Sequence, residues 1–379
     1  MHMAKNNQME QIDIHSDNSV VSRIMISESV DALKECIDSY AHVFAIMDAE
    51  LARRCPAAAE VGHVLNERKI PGMLLEASEK NKVMDTVVQV CTWLMEQGAD
   101  RDAFILAVGG GVTTDIVGFA ASIYKRGVRY ASVPTTLLAQ VDACVGGKNG
   151  VNFMGYKNML GTITQPEFTF VCPEFLASLP KRDFLSGAAE MIKAFIIEDK
   201  GHYERAVMFL KGYSASEDTE SYLMDKRVEL QYLVSAAVKV KAGIVSRDCY
   251  ERCERRLLNL GHTFAHAVET LAFQQGYDIS HGEAVSIGMI MAAELAEQRS
   301  ITDPLVGEAF GKCLSRKLED DFFECGFRIC SPFGIKSMAE VMTRDKKAYD
   351  GKICFILPCD IGNVMMLYLS VDEVVELLS

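Results

Sequence analysis

The sequence predicts two domains: an α/β N-terminal domain built on a parallel sheet, then a mainly α-helical C-terminal domain. Three observations carry this. The chain has 379 residues, more than one ordinary domain of ~100–200. Its first half alternates short apolar runs with amphipathic ones, the pattern of strands and covering helices in a parallel sheet. After Pro180 strand patterns nearly vanish and long helical periodicity replaces them.

Taken in order, residues 24–26, 42–47, 103–108, 130–133 and 168–171 read as strands. Residues 29–40 and 80–97 read as helices, the second stopped by Gly98. Beyond the change of texture, residues 183–198, 202–212, 220–245, 257–273 and 282–299 carry helical periodicity. Near the end, residues 353–357 and 364–369 flank a turn segment and read as a hairpin. These patterns place the domain boundary so that residues 1–182 form the first domain and 183–379 the second.

Composition narrows the function. Apolar residues at 49% and charged residues at 24% describe a globular chain and exclude a mainly disordered one. A net charge of −13 argues against a general nucleic-acid binder, because phosphate backbones need a basic surface. Twelve cysteines are scattered with no C-x-x-C, so reduced thiols in a cytoplasmic protein are expected rather than disulfides. The polar first eighteen residues do not read as a secretory signal, and no apolar run is long enough for a membrane span.

Several segments carry chemistry. Gly109, Gly110 and Gly111 follow a strand and precede a helical pattern, where glycines let a phosphate meet backbone amides at a helix start. A plain tight turn is the competing reading, since the third glycine of G-x-G-x-x-G is missing. Asp48 ends an earlier strand, where a ribose-binding carboxylate or an ordinary helix cap would both sit. Next come Pro134-Thr135-Thr136, Asp142, and Gly146-Gly147-Lys148, then Lys157-Asn158, a run suited to holding an anion. Glu190 and Lys193 stand three apart on a helical pattern, and most such pairs are surface salt bridges; the small apolar neighbours offer the other reading, a buried face on which the carboxylate needs a cation or a metal. Three of eight histidines, His262, His266 and His281, fall within twenty residues. His262 and His281 with Glu190 make a two-histidine, one-carboxylate set that suits catalytic Zn²⁺, whereas structural histidines are the bland alternative. Residue 263 is Thr, which excludes the H-E-x-x-H metalloprotease pattern.

These stretches together resemble 3-dehydroquinate synthase, a sugar phosphate cyclase family of the shikimate pathway. The resemblance runs through GGGVTTDIVGFAASIYKRGVRY, VPTTLLAQVDACVGGKNGVN, GYKNMLG, SGAAEMIK, LLNLGHTFAHAVE, HGEAV and the late RDKK, which span nearly the whole chain. It implies a Rossmann-like NAD-binding first domain and a helical metal- and substrate-binding second one. It implies NAD and one divalent metal, usually Zn²⁺ with Co²⁺ as an alternative, held by Glu190, His262 and His281. Nucleotide contacts then fall on Asp48, Glu79, Lys82, Gly110, Gly111, Asp115, Thr135 and Thr136, with Lys148 and Lys157 close by. Substrate contacts fall on Arg126, Asp142, Lys148, Asn158, Lys193, Lys241, Arg255, Asn259, His266 and Lys346. Two departures stand out: Thr114 occupies a usual glycine, and Cys249 a commonly acidic position.

The reaction implied converts the seven-carbon acid 3-deoxy-D-arabino-heptulosonate 7-phosphate to 3-dehydroquinate and phosphate. Transient oxidation by NAD is followed by phosphate β-elimination, re-reduction, ring opening and aldol closure. Lys148, Arg126, Lys346 and Asn158 would cradle the phosphate, Lys241 and Arg255 would face the carboxylate, and Lys193 and Asp142 would orient hydroxyls. His266 would assist phosphate binding or proton transfer. The resemblance also implies a homodimer acting on a small molecule, without nucleic acid or membrane. A cyclase acting on an amino analogue and a metal- and NAD-dependent polyol dehydrogenase are the rival readings.

Overall fold

The computed structural model describes residues 9–302, 313–342 and 351–379. It contains two compact units. The first joins Met1–Pro180 with Leu223–Tyr250, and the second joins Lys181–Tyr222 with Glu251–Ser379. The first unit thus ends at Pro180, two residues before the division read from sequence, and residues 223–250 of the helical half group with it.

The first unit is organised by a seven-stranded sheet in the order β1-β2-β9-β6-β5-β3-β4. Its strands are β1 (Glu10–Ser16), β2 (Ser19–Ile26), β3 (Val43–Asp48), β4 (Gly72–Leu75), β5 (Phe104–Gly109), β6 (Arg129–Pro134) and β9 (Phe168–Val171). Every neighbouring pair is parallel except β1 with β2, which form an antiparallel edge. Alternate residues feed opposite faces. Val43, Ala45, Met47, Phe104, Leu106 and Val108 enter one core, while Phe44, Ile46, Ile105 and Ala107 enter the other. Both faces being covered explains why these strands are apolar throughout instead of alternating.

Helices α1 (Leu33–Ile37), α2 (Ala49–Arg54), α3 (Pro56–Glu67), α4 (Met84–Glu96) and α5 (Gly111–Ile123) connect the strands. A separate hairpin, β7 (Lys148–Phe153) with β8 (Tyr156–Ile163), follows β6. The short α8 (Thr219–Asp225) leads into α9 (Arg227–Arg247). Polar contacts hold α9 to this unit: Ser235 Oγ donates to Glu10 Oε2 at 2.7 Å, and the His15 amide donates to Ser246 Oγ at 3.0 Å.

The second unit is helix-rich. It contains α6 (Lys181–Glu198), α7 (Lys200–Ala215), α10 (His262–Gln275), α11 (His281–Gln298), α12 (Leu314–Glu324), α13 (Ile335–Met342) and α14 (Val371–Leu378). The hairpin β10 (Ile353–Asp360) with β11 (Asn363–Leu369) appears where the sequence pattern placed one.

Several elements differ from the sequence reading. Residues 29–40 form a 3-10 turn, Val30–Ala32, and a five-residue helix rather than one long helix. The polar segment near the N-terminus contains β1, an edge strand with few buried side chains. The pattern at 220–245 is two helices with a break at Lys226. The pattern at 257–273 is a 3-10 turn, Glu254–Asn259, then Gly261 in the left-handed region, then α10. All twelve cysteines are free, and among the described residues no helix is long and apolar enough to cross a membrane.

Candidate active site

In the first unit, three adjacent parallel strands end side by side. Met47 of β3 pairs with Val108 of β5, and Gly109 pairs with Pro134 of β6. This register brings Asp48, Gly109–Gly111 and Thr135-Thr136 to one sheet edge, the carboxyl end where open α/β sheets bind ligands. The Thr135 amide donates to Gly109 O at 3.0 Å. Helix α5 starts at Gly111 without a side-chain cap, so its first amides are available to an anion. A Cβ on Gly110 would lie 3.1 Å from Thr136 Cγ2, so glycine keeps this edge open. These features fit a dinucleotide pyrophosphate. Asp48 realises the capping reading through Oδ1, which accepts from the Glu50 and Leu51 amides at 2.8 and 3.2 Å.

Thr114 adapts to the turn without crowding it. Its hydroxyl donates back to Gly110 O and Gly111 O at 3.2 and 3.1 Å, and the Cys144 thiol donates to it at 3.3 Å.

A polar network lies in the same unit. Buried Lys82 donates to Asp115 Oδ2 at 2.5 Å and to Asn158 Oδ1 at 2.6 Å. Burial pushes the Asp115 carboxyl up to about 6, against the opposing pull of Lys82. Lys241 of α9 is buried and donates to Asp142 O and Oδ1 at 2.7 and 2.6 Å. Asp142 sits in a π-helical turn, Ala139–Ala143, a local distortion frequent at functional sites. Lys148, Lys157 and Arg126 are exposed, and Arg126 has φ 74°, in the left-handed region.

The second unit gathers Glu190, His262 and His281, whose ligand atoms lie within 4.8 Å of one another. They come from α6, α10 and α11 respectively. Glycine 282 permits the approach of α11 to α6, since a Cβ there would stand 2.3 Å from Ser186 Cα. Glu190 Oε1 is 3.1 Å from His281 Nε2 and 3.5 Å from His262 Nε2. Two ligands bound at ~2.1 Å to one tetrahedral ion stand roughly 3.4 Å apart, so the donor set fits Zn²⁺ or a similar divalent cation. Glu190 Oε2 pairs with the buried Lys193 ammonium.

Each of the three groups is moved from its ordinary range by burial and by the others. Burial would raise the Glu190 carboxyl, but Lys193, His262 and His281 together hold it well below the usual range. Burial, reinforced by Lys193, pushes His262 down to about 3, so its imidazole is neutral and able to ligate. Burial opposes protonation of His281 too, yet Glu190 and Glu269 raise it to about 10. A cation entering here would displace that proton.

Sequence reasoning missed Glu269. Its Oε1 lies 3.4 Å from His281 Nδ1, and Leu260 O lies 3.1 Å from His262 Nδ1. Such partners orient metal-ligating imidazoles. The available signal was spacing, because Glu269 stands seven residues after His262, two turns along one helix face. Near this cluster in sequence, Arg255 is buried, and Asn259 Nδ2 donates to Glu251 Oε1 at 3.0 Å. His266 stacks edge-on to His262 with ring centroids 5.7 Å apart. Lys346 lies outside the described residues.

Comparison with known proteins follows from this geometry. The family model for the 3-dehydroquinate synthase N-terminal region matches residues 72–186, and the C-terminal model matches 187–348. The chain belongs to the 3-dehydroquinate synthase family. It is 38% identical to the 3-dehydroquinate synthase of Rhodopirellula baltica over 86% of this chain and 82% of that one. It is 40% identical to that of Thermodesulfovibrio yellowstonii over 77% of each chain. Among solved structures, a 2-epi-5-epi-valiolone synthase from Streptomyces hygroscopicus subsp. jinggangensis 5008, with NAD⁺ and Zn²⁺ bound, superposes with a TM-score of 0.81. It is 28% identical and covers 96% of this chain and 98% of its own.

Proposed function

We infer that this family member converts 3-deoxy-D-arabino-heptulosonate 7-phosphate to 3-dehydroquinate and inorganic phosphate, with NAD and a divalent metal retained through the cycle. The observation that carries the reading is the Glu190–His262–His281 cluster, which three separate helices of a family member bring within ligating distance. A different sugar phosphate cyclase activity is not favoured, because relatives bearing this family's name match at higher identity than the valiolone synthase does.

The division of labour follows the two units. The first holds the dinucleotide along Asp48, Gly110, Gly111, Thr135 and Thr136, with Glu79, Lys82, Asp115 and Lys157 beside it. The second holds the metal, for which Zn²⁺ is the ion of choice. When bound, the metal supplies Lewis acidity at the substrate hydroxyl and the dinucleotide supplies a reversible hydride acceptor. The chain's own residues bind and orient. Lys148, Arg126, Lys346 and Asn158 neutralise the phosphate that leaves, and Lys241 and Arg255 meet the carboxylate. Lys193 and Asp142 set the hydroxyls, Asn259 adds a polar contact, and His266 holds a proton near the departing phosphate. The role of Lys241 rests on its 2.6 Å pairing with Asp142, which pre-orients both groups.

We read the protein as a cytoplasmic homodimer. The free cysteines support the compartment. The exposed apolar side chains Val88, Met95 and Ile123 support self-association.

The test is phosphate release from the seven-carbon substrate with catalytic NAD⁺ and Zn²⁺, while NADH absorbance is recorded in the same cuvette. Many turnovers of phosphate with no NADH build-up are expected. NADH rising in step with product would identify a dehydrogenase instead. No turnover from folded, metal-loaded protein would reject this substrate.

A further inference from the structure

One side chain of the first unit belongs to neither the nucleotide set nor the substrate set, yet touches both. Asn152, on β7, uses both ends of its carboxamide as a bridge. Its carboxamide Nδ2 donates to Glu79 Oε1 at 2.8 Å and to Glu79 O at 3.3 Å. Its Oδ1 accepts from the Asn158 amide at 2.9 Å. Its own backbone amide donates to Lys82 O at 2.7 Å. Asn152 thus ties the turn carrying Glu79 and Lys82 to the hairpin carrying Asn158.

The Asn158 bond has a specific consequence. Asn158 has φ 51°, a left-handed conformation uncommon outside glycine but one that asparagine tolerates better than most residues. The Asn152 carbonyl oxygen pins its amide in that conformation. So pinned, Asn158 directs Oδ1 to the Lys82 ammonium at 2.6 Å, and Lys82 in turn meets Asp115. The chain Glu79–Asn152–Asn158–Lys82–Asp115 closes on itself, since Glu79 and Lys82 belong to one turn. Moving one end displaces the other.

We propose that Asn152 is a positioning residue that couples nucleotide binding to sugar-phosphate binding within this unit. The inference rests on the cyclase reading above, which assigns Glu79, Lys82 and Asp115 to the nucleotide and Asn158 to the substrate. A nucleotide that engages Glu79 and Lys82 fixes the turn, Asn152 transmits that order, and Asn158 is then already set for the phosphate. The ordering cost is met once, so the second ligand binds more tightly than it would alone. Linkage requires the effect to be equal in both directions.

The experiment is equilibrium titration of the metal-loaded protein by calorimetry. The probes are NAD⁺ and a phosphonate analogue of the substrate, whose C–P bond cannot eliminate. Each is titrated alone and in the presence of the other. In the wild type each ligand is expected to tighten the other by the same factor, roughly 5- to 150-fold. In Asn152→Ala that factor should fall to within about twofold of unity, more than either single-ligand affinity changes. Asn152→Asp keeps the acceptor for the Asn158 amide but replaces the donor to Glu79 with a carboxylate that repels it. It should retain phosphonate affinity and lose the coupling, which a general packing defect would not reproduce.

Full coupling in folded Asn152→Ala, or in Asn152→Asp should the alanine variant not fold, overturns the proposal. So does a wild type that binds both ligands without coupling. A wild type that binds neither NAD⁺ nor the phosphonate overturns the cyclase reading itself, a result distinct from either.

Discussion

The strand-end site of the first unit and the histidine cluster of the second are built on opposite plans. The first is largely backbone: glycine and threonine at the ends of three hydrogen-bonded strands, with charged groups already partnered, such as Lys82 with Asp115 and Lys241 with Asp142. The second is entirely side chain, with Glu190, His262 and His281 projecting from three helices and the outermost two 91 positions apart. Loss of one group in the strand-end site should therefore weaken it by degrees. The cluster has three donors for one ion, so losing one should disable it.

The sharpest break is His262→Ala. Turnover should fall at least ~10³-fold, about 4 kcal/mol of transition-state stabilisation, and metal analysis should show the ion lost. Nucleotide affinity should stay within about twofold, because that site lies in the other unit. Stoichiometric metal with full turnover would dismiss the cluster from catalysis.

Lys82→Met probes the strand-end plan. It leaves a buried carboxylate at Asp115 without its cation, which should cost roughly 3–5 kcal/mol of stability in urea unfolding. Metal content should be unchanged. An unfolding midpoint equal to the wild type's would show that the pair carries no such burden.

Acidity offers a subtler handle on the same pair. The folded Asp115 carboxyl lies at about 6 against an ordinary 3.8, chiefly through burial. Its contribution to stability is present in full below 3.8 and is lost as pH rises through about 6, by up to ~3 kcal/mol. Asp115→Asn has no such dependence, so it should gain on the wild type as pH climbs through that window. A pH-independent gap between the two would contradict the burial argument.

Glu269→Gln should reduce metal affinity by about 10- to 100-fold in chelator competition while leaving nucleotide binding intact. Unchanged metal affinity would mean that the 3.4 Å contact with His281 does no orienting.

The smallest effect is expected for Thr114→Gly. It should cost about 1 kcal/mol of stability, a few tenths from helix propensity and the rest from the lost packing of a buried side chain, with nucleotide affinity unaltered, since the Thr114 hydroxyl already bonds within its own helix. A marked gain in nucleotide affinity would show that the threonine does obstruct the turn.

By itself the sequence determined β3, β5, β6 and β9 of the central sheet and the end of β2, but not β1 or β4, together with the glycine turn after β5 and the late hairpin. These are local features, in which apolar runs, glycines and turn residues act within a few positions of one another. It also marked Glu190, His262 and His281, because clustered histidines and a buried carboxylate are compositional oddities that survive without coordinates. The tertiary structure decided the rest. Strand β1 is a mostly polar edge strand, and the short alternation of Ile12 and Ile14 was too brief to single it out. Helix α9 reads like its helical neighbours, and only its contacts with β1 and Asp142 assign it to the first unit. Asn152 is an ordinary residue in one dimension, and Glu269 carries only its spacing from His262. Their roles come from partners 73 and 12 positions away, and hydrogen bonds over such separations are set by chain topology, which local patterning does not encode.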